Sequence, residues 1–192
     1  MSHLADCLVF TFAQEGGYQH LPGDAGNWTG GHVGVGVLVG TNMGISAPVL
    51  AHWRQGAVIT AADMENLSRD EATAIAGALF GNPLRIEDLP PGPDLMAFEL
   101  AWGSGLRFGA QTLQNAVGAP ADGFIGPATV AAAQAADVGA VIAAMDAAVR
   151  RYDQSLQSWA EFGDGWTARS DRRVAAARVR AGLPADGAAA MV

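Results

Sequence analysis

Hydrophobic side chains recur at helical spacing along most of the chain. Leu4, Leu8 and Phe12 follow one another at intervals of four, which places them on one face of a helix that would pack on a core. Further apolar repeats predict helices from Ser68 to Phe80 and over residues 94–103, 138–159 and 166–181, the third being the longest. Ser68 and, more weakly, Thr60 are typical of helix N-caps. The pattern therefore predicts an all-α protein.

One segment departs from helical spacing. Glycine and apolar residues alternate with a period of two over residues 30–40, which favours a short hairpin or an extended glycine-rich loop. A phosphate-binding loop is the rival interpretation, but no clear strand precedes the segment and no lysine follows it. Further along, Pro90, Pro91 and Pro93 interrupt the chain and mark an internal boundary.

Composition narrows the class of protein. With 192 residues, 50% of them hydrophobic and 16% charged, the chain can bury a core. Its net charge of -8 argues against nucleic acid and acidic lipid as partners. The only cysteine, Cys7, lies in the first apolar helix and is expected to be a small buried hydrophobe. The four histidines show no paired metal-ligand spacing, so we expect neither a metal nor a cofactor.

Two acidic residues follow the first apolar helix. Glu15 lies at the border of the apolar stripe, where partial desolvation favours the protonated form that a general acid needs. Gly16 and Gly17 are expected to end the helix in a left-handed conformation and to leave room for a bulky ligand. Asp24, in a glycine-rich loop, would stay solvated and ionised. A solvated glutamate at a helix end is the alternative interpretation of Glu15.

Three segments, in a consistent order, resemble the glycoside hydrolase family 108 N-acetylmuramidases. They are Glu15-Gly16-Gly17-Tyr18, residues 24–31, and Thr41-Asn42-Met43-Gly44-Ile45-Ser46. Asn82-Pro83 and Asp88-Leu89-Pro90 are similar to further family positions. The resemblance covers residues 5 to about 90. It implies an all-α, lysozyme-like helical fold with a small glycine-rich loop or β-hairpin, and peptidoglycan as the substrate.

The resemblance and the residue chemistry together suggest roles in the site. Glycosidases use one carboxyl group as an acid and a second carboxylate on the other side of the sugar ring. Glu15 is the candidate acid, Asp24 the second carboxylate, and Thr41, favoured over Thr29, the residue that positions the water. The Glu-to-Asp spacing is similar to that of phage-type lysozymes and favours inversion. The candidate substrate-binding residues are Tyr18, Trp28, Thr29 and Asn42, although the two aromatic side chains could instead pack the loop.

The second half of the chain carries a separate resemblance. Leu113-Gln114, Gly118, Asp122-Gly123-Phe124-Ile125-Gly126-Pro127 and Thr129 are similar to the small helical peptidoglycan-binding domain that accompanies this hydrolase. The resemblance implies a peptidoglycan-binding motif formed by Asp122, Gly123, Ile125, Gly126 and Pro127. A tight Asp-Gly turn followed by a proline in the first helical turn explains the same residues as scaffold, and both interpretations stay open.

These observations predict three regions. Residues 1–90 form a catalytic region, residues 91–182 a helical peptidoglycan-binding-like region that packs on it, and residues 183–192 a flexible tail. The chain departs from the family pattern at residues 79–81, where a Tyr-Trp pair is common, and at Gly103, where asparagine is common.

The predicted function is hydrolysis of the β-1,4 bond between N-acetylmuramic acid and N-acetylglucosamine by a monomer, in phage-type lysis, gene-transfer-particle release or secretion. Synthesis in the cytoplasm without a visible secretory signal would require a holin or a secretion pathway to reach peptidoglycan in the periplasm or cell wall. No stable membrane insertion is expected. The alternatives are a non-catalytic cell-wall-binding or particle-assembly protein, and an enzyme of the same fold that cuts chitin-like polymers.

Overall fold

The protein has an all-α, lysozyme-like fold, as the sequence predicts. The computed structural model describes residues 2–185; the end of the predicted tail, residues 186–192, lies outside the described residues. Within this range the helices are α1 His3–Gln14, α2 Ala47–Trp53, α3 Ala61–Glu65, α4 Arg69–Ala76, α5 Pro93–Ser104, α6 Leu106–Ala116, α7 Pro127–Ala135, α8 Val138–Ser155 and α9 Trp159–Arg180. Short 3₁₀ turns at Ala25–Asn27 and Ile86–Asp88 and a π-helical turn at Gly77–Gly81 complete the list.

The chain folds as two compact units. The loop-rich unit comprises Thr11–Ala76, and the helical unit comprises the described residues up to Phe10 and from Gly77 onward. The boundary at Ala76 precedes the predicted one at residue 90. The assignment of catalytic and wall-binding regions to residues 1–90 and 91–182 stays a prediction.

The helical unit is organised around α5. Every residue from Pro93 to Ala101 is buried, and α6, α8 and α9 all pack against this helix. On α6, Gly109 lies so close that a Cβ placed there would come within 2.6 Å of the carbonyl oxygen of Ala97. Any side chain at this position would therefore force α5 and α6 apart.

A buried ion cluster fixes the first turn of α5. Asp94 is fully buried and accepts hydrogen bonds from the backbone N–H groups of Gly92 and Leu95. Arg180 of α9 donates to both carboxylate oxygens of Asp94 at 2.6–3.0 Å, and to Asp6 of α1 at 2.6 Å. The hydrogen bond from Arg180 lowers the pKa of Asp6. Because each charge has an opposite partner, the cluster can be buried, and it ties α1 and α9 to α5.

The predicted boundary between the last two helices is wrong. The helix predicted over residues 138–159 ends at Ser155, and the one predicted to begin at residue 166 begins at Trp159. The Ser155 hydroxyl donates a 2.6 Å hydrogen bond to the carbonyl of Tyr152, and Leu156 takes an extended conformation. Because the serine side chain takes up a carbonyl at the helix end, the chain turns here although the apolar repeat continues.

In the loop-rich unit, Arg54 ties three short helices together. It pairs with Asp63 of α3 and with Glu71 of α4, in each case at 2.8 Å. The hydrogen bond from Arg54 lowers the pKa of Glu71. Thr60 and Asp63 form a complete capping box, whereas at Ser68 only the serine half is formed because the Glu71 carboxylate bonds to Arg54 instead.

The glycine segment over residues 30–40 is a loop with hairpin-like pairing. Thr29 and Val37 pair through the backbone at 2.9 Å, and Trp28 and Leu38 form an isolated antiparallel bridge. Pairing of this kind is limited to isolated bridges within residues 2–185. The period-two alternation does not mark a buried face, since Val33, Val35 and Val37 are all at least half exposed.

The lone thiol is structural. Cys7 on α1 is fully buried, and burial raises the pKa of its thiol. The thiolate, which is the reactive form, is therefore disfavoured, and the side chain acts as a small hydrophobe as predicted. Within the described range, no single helix combines the length and apolar character needed to cross a membrane; α7 and α8 meet that test only as a pair bent by 115°.

Candidate functional site

A pocket of about 340 Å³ lies in the loop-rich unit beside the C-terminal end of α1. The three residues that the sequence assigns to catalysis, Glu15, Asp24 and Thr41, all line it. They come from a helix end and two separate loops, so the fold brings together side chains that are up to 26 positions apart in sequence. Their catalytic roles remain predictions.

Glu15 continues the last turn of α1. Its backbone N–H bonds to the carbonyl of Thr11 at 3.0 Å, and its side chain is partly buried. A Cβ built on Gly16 or on Gly17 would meet nothing within 4 Å, so the space beside Glu15 is open, as predicted. The prediction of a left-handed helix end is wrong, because neither glycine has a positive φ. These glycines keep the entrance to the pocket clear rather than turning the backbone.

Asp24 is held by two hydrogen bonds. Its Oδ1 accepts from the backbone N–H of Gly26 at 2.8 Å, which caps the 3₁₀ turn, and its Oδ2 accepts from Gln19 Nε2 at 2.8 Å. Gln19 is oriented in turn by the buried Asn27, whose Nδ2 donates to Gln19 Oε1 at 2.8 Å. The sequence analysis did not select Gln19 or Asn27, since an isolated amide has no motif. They fix the direction of the Asp24 carboxylate.

Thr41 pairs with Gln19 in an isolated antiparallel β-bridge. Its backbone pairs with that of Gln19 through hydrogen bonds of 2.8 and 2.9 Å. The Thr41 hydroxyl oxygen is buried and has no hydrogen-bond partner among residues 2–185. A Cβ on Gly26 would lie 3.3 Å from Asp24 Oδ1 and 3.5 Å from Thr41 Oγ1, so both oxygens border the same small space. A buried hydroxyl without a protein partner is typical of a position that a water or a ligand fills.

The four predicted substrate-binding residues have partners within the protein and lie outside the lining of this pocket. They bond as follows: Tyr18 Oη to the Val39 carbonyl at 3.1 Å, Trp28 Nε1 to the Pro22 carbonyl at 2.9 Å, the Val37 N–H to Thr29 Oγ1 at 2.9 Å, and Asn42 Nδ2 to the Met64 carbonyl at 2.8 Å. Each of these bonds fastens the loops that carry Asp24 and Thr41. A role in sugar contact stays a prediction for all four.

In the helical unit, the segment Asp122 to Pro127 is organised by Gln114 of α6. The Gln114 amide donates to Asp122 Oδ1 at 2.7 Å and accepts from the Gly123 N–H at 2.9 Å. Asp122 Oδ1 also accepts from the backbone of Phe124, Ile125 is buried, and Gly126 and Pro127 begin α7. These bonds account for the segment as scaffold. Peptidoglycan binding by it stays a prediction.

The catalytic candidates offer proton donors and acceptors. Two carboxyl groups and one hydroxyl converge on the pocket, and within the described residues no cluster of three or more His, Cys, Asp or Glu side chains could hold a metal ion. A lysozyme-like helical fold with two carboxyl groups in one pocket is typical of glycoside hydrolases.

The chain belongs to the glycosyl hydrolase 108 family. The family model matches residues 8–105, a range that includes Glu15, Asp24 and Thr41 and excludes the Asp122 segment. Among solved structures, Brucella abortus SagA is 30% identical, with a TM-score of 0.78 over 93% of this chain and 95% of that chain. A comparison with curated proteins finds no match.

Proposed function

We propose that the protein is a peptidoglycan hydrolase, an N-acetylmuramidase that cleaves the β-1,4 bond between N-acetylmuramic acid and N-acetylglucosamine. The observation that supports this most directly is that Glu15, Asp24 and Thr41 line one open pocket in a chain of this family. Membership of the family supports a glycoside hydrolase. The identity of the cleaved bond and of the substrate polymer is what we propose in addition.

In this mechanism Glu15 gives its proton to the glycosidic oxygen as the bond to the anomeric carbon breaks. Asp24 takes a proton from a water that attacks the anomeric carbon from the opposite face, and Thr41 hydrogen-bonds that water. The hydrogen bonds from Gln19 and Gly26 fix the direction of the Asp24 carboxylate, as a general base requires. With a water between the carboxylate and the sugar, the product has inverted configuration.

The test compares the purified protein with its Glu15→Gln variant on peptidoglycan sacculi. We expect soluble muropeptides with muramic acid at the reducing end from the wild type. The variant should lose activity about 100- to 10,000-fold because an amide cannot donate the acid proton. Glu65→Gln, an exposed position in the same unit, is the matched control and should remain active.

Sacculi that stay intact under conditions where a control lysozyme clears them would overturn the proposal. If the protein binds sacculi and Glu15→Gln changes nothing, the chain is a wall-binding or particle-assembly protein instead. Release of N-acetylglucosamine oligomers from chitin, with sacculi left uncut, would identify the chitin-cutting alternative. Proton NMR of the first product anomer tests inversion, since a retained anomer would assign Asp24 as a nucleophile.

The place of action follows from the proposed substrate, which lies outside the cytoplasmic membrane. We place the enzyme in the periplasm or cell wall, delivered by a holin or a secretion pathway in phage-type lysis, gene-transfer-particle release or secretion. Expression in a Gram-negative host should leave cells intact until a holin is co-expressed, and should then lyse them. Lysis by the Glu15→Gln variant to the same extent would contradict this role.

A further inference from the structure

A second cavity, of about 290 Å³, lies in the helical unit between α5, α8 and α9. Its walls include the apolar side chains of Leu100 and Val149 and the aromatic rings of Tyr152 and Trp166. The volume is near the lower end of the range of small-molecule sites, about 300 Å³. The cavity can hold one small ligand with an aliphatic body.

Four charged side chains line this cavity, two of each sign. Glu99 of α5 is buried and lies 3.2 Å from Arg169 of α9. Asp153 of α8 and Arg173 of α9 complete the set. Burial raises the pKa of Asp153 and lowers the pKa of Arg173, because desolvation disfavours both charged forms. Balanced charges suit a ligand that has no net charge of its own.

Arg173 and Asp153 each have hydrogen-bonding capacity that no described residue uses. Arg173 is 5% exposed; its Nη2 donates to Ser170 at 2.6 Å, but its Nε is buried with no partner among the described residues. The Asp153 carboxylate accepts no hydrogen bond from the part of the chain that the structure describes. A buried guanidinium N–H without an acceptor is costly, and a ligand oxygen would remove that cost.

We propose that this cavity binds the zwitterionic group of an amino acid, with the ligand carboxylate on Arg173 and the ligand ammonium group on Asp153. The acceptor that Arg173 lacks is a carboxylate, and the donor that Asp153 lacks is an ammonium group. The aliphatic part of the ligand lies against the apolar and aromatic walls. Its lining shares no residue with the lining of the pocket that contains Glu15.

Two sources could supply this chemistry: a free amino acid, or the peptide stem of peptidoglycan, in which diaminopimelate has a free amino-acid end. The second source rests on the proposed function, and the zwitterion chemistry does not. If the stem is the source, the cavity is a recognition site for the product or the substrate of the hydrolase.

The first experiment measures binding of three probes to the full chain by isothermal titration calorimetry. meso-Diaminopimelate carries both charged groups, pimelate lacks the ammonium groups, and 1,5-diaminopentane lacks the carboxylates. We expect diaminopimelate to bind at least about tenfold more tightly than either of the others, because only it satisfies both side chains. No binding of diaminopimelate, or equal binding of all three, would overturn the proposal.

Asp153→Asn tests the ammonium contact. It should weaken diaminopimelate binding at least about tenfold, since a charge-assisted hydrogen bond is lost. Asp164→Asn, at an exposed position on α9 outside the cavity, is the matched control. Arg173→Lys tests the carboxylate contact after a thermal melt has checked its fold; if it does not fold, the Asp153→Asn result decides. Binding to Asp153→Asn at wild-type affinity would refute the site.

A competition experiment separates the two sources. With the Glu15→Gln variant, a disaccharide tripeptide that ends in diaminopimelate should displace the free probe if peptidoglycan is the source, and the disaccharide alone should not. Displacement by neither would assign the cavity to free amino acids. Because binding is measured without turnover, its failure is distinct from a failure of hydrolysis.

Discussion

The two pockets of this protein differ in the charges of the side chains that line them. In the loop-rich unit, Glu15 and Asp24 line a pocket. Among the described residues that line this pocket, none is basic. In the helical unit, Glu99 and Asp153 share a cavity with Arg169 and Arg173. Two carboxyl groups and a hydroxyl offer proton donors and acceptors to a substrate, whereas side chains of both signs offer charged contacts to a ligand. The first arrangement therefore suits acid–base chemistry and the second suits recognition.

The two units also differ in where their arginine side chains lie relative to the pocket. In the loop-rich unit Arg54 pairs with Asp63 and Glu71, outside the pocket. In the helical unit Arg169 and Arg173 are part of the cavity wall. The ion pairs of Arg54 thus lie outside the pocket of the loop-rich unit, whereas the ion pair of Arg169 with Glu99 lies in the cavity wall of the helical unit. Carboxyl substitutions in the two pockets should therefore have opposite signatures, with activity lost in one and stability lost in the other.

The largest effect is expected from Asp24→Asn. The amide cannot accept the proton of the attacking water, so hydrolysis of sacculi should fall about 100- to 1,000-fold. The fold should survive, because an asparagine oxygen can still accept from the Gly26 N–H. Turnover and thermal unfolding are measured together, with Asp70→Asn, exposed on α4, as the control. Full activity of Asp24→Asn would remove Asp24 from the mechanism.

Glu99→Gln should have the reverse signature. It leaves the Arg169 charge without its carboxylate inside the helical unit, and we expect unfolding to become easier by about 2 to 3 kcal/mol, less than for a fully buried pair because Arg169 is partly solvated. Urea denaturation measures this loss, and Glu161→Gln, exposed in the first turn of α9, is the control. An unchanged urea midpoint would contradict the buried-pair interpretation of Glu99.

How far the sequence predicts this structure differs between the two units. In the helical unit, apolar spacing predicted helices at α5, α8 and α9 but none at α6, and α5 was predicted to within a residue at each end because prolines precede it. The boundary at Ser155 was missed because a serine side chain bonding to the helix end leaves the apolar repeat unchanged. Local hydrogen bonding, which hydrophobic spacing does not report, decided that break.

The site was predicted in part. Glu15 and Asp24 stand out as carboxyl groups near glycines, and Thr41 was selected by resemblance. The orienting amides of Gln19 and Asn27 were missed, because their role depends on a backbone bridge between distant loops. The second cavity has no motif at all, since its charges come from three helices and meet only after folding.

Thr41→Val separates a functional hydroxyl from a structural one. Its buried oxygen has no protein partner in the described range, so its removal should leave stability unchanged or raise it by up to about 1 kcal/mol. Hydrolysis should fall about tenfold if the hydroxyl holds the attacking water, since a single neutral hydrogen bond is worth about 1 kcal/mol. Thr29→Val is the matched comparison, because it removes the acceptor of the Val37 N–H and should cost stability. A loss of stability in Thr41→Val, with activity intact, would reverse the assignment of the two threonines.

The smallest effect is expected from the Arg54 ion pairs, which lie outside the candidate catalytic pocket. The pKa of Glu71 is lowered in the folded protein by Arg54, so the pair stabilises the fold above the ordinary glutamate pKa of 4.5, and this stabilisation is lost as the pH falls from that value through the lowered pKa of the folded protein. The pair is partly solvated, so the contribution should be below about 1 kcal/mol. Urea unfolding of the wild type and of Glu71→Gln, at pH 7 and at pH 3.5, measures it. The difference in stability between the wild type and the variant should be larger at pH 7 than at pH 3.5. A gap of the same size at both pH values would mean that Glu71 acts through packing rather than through its charge.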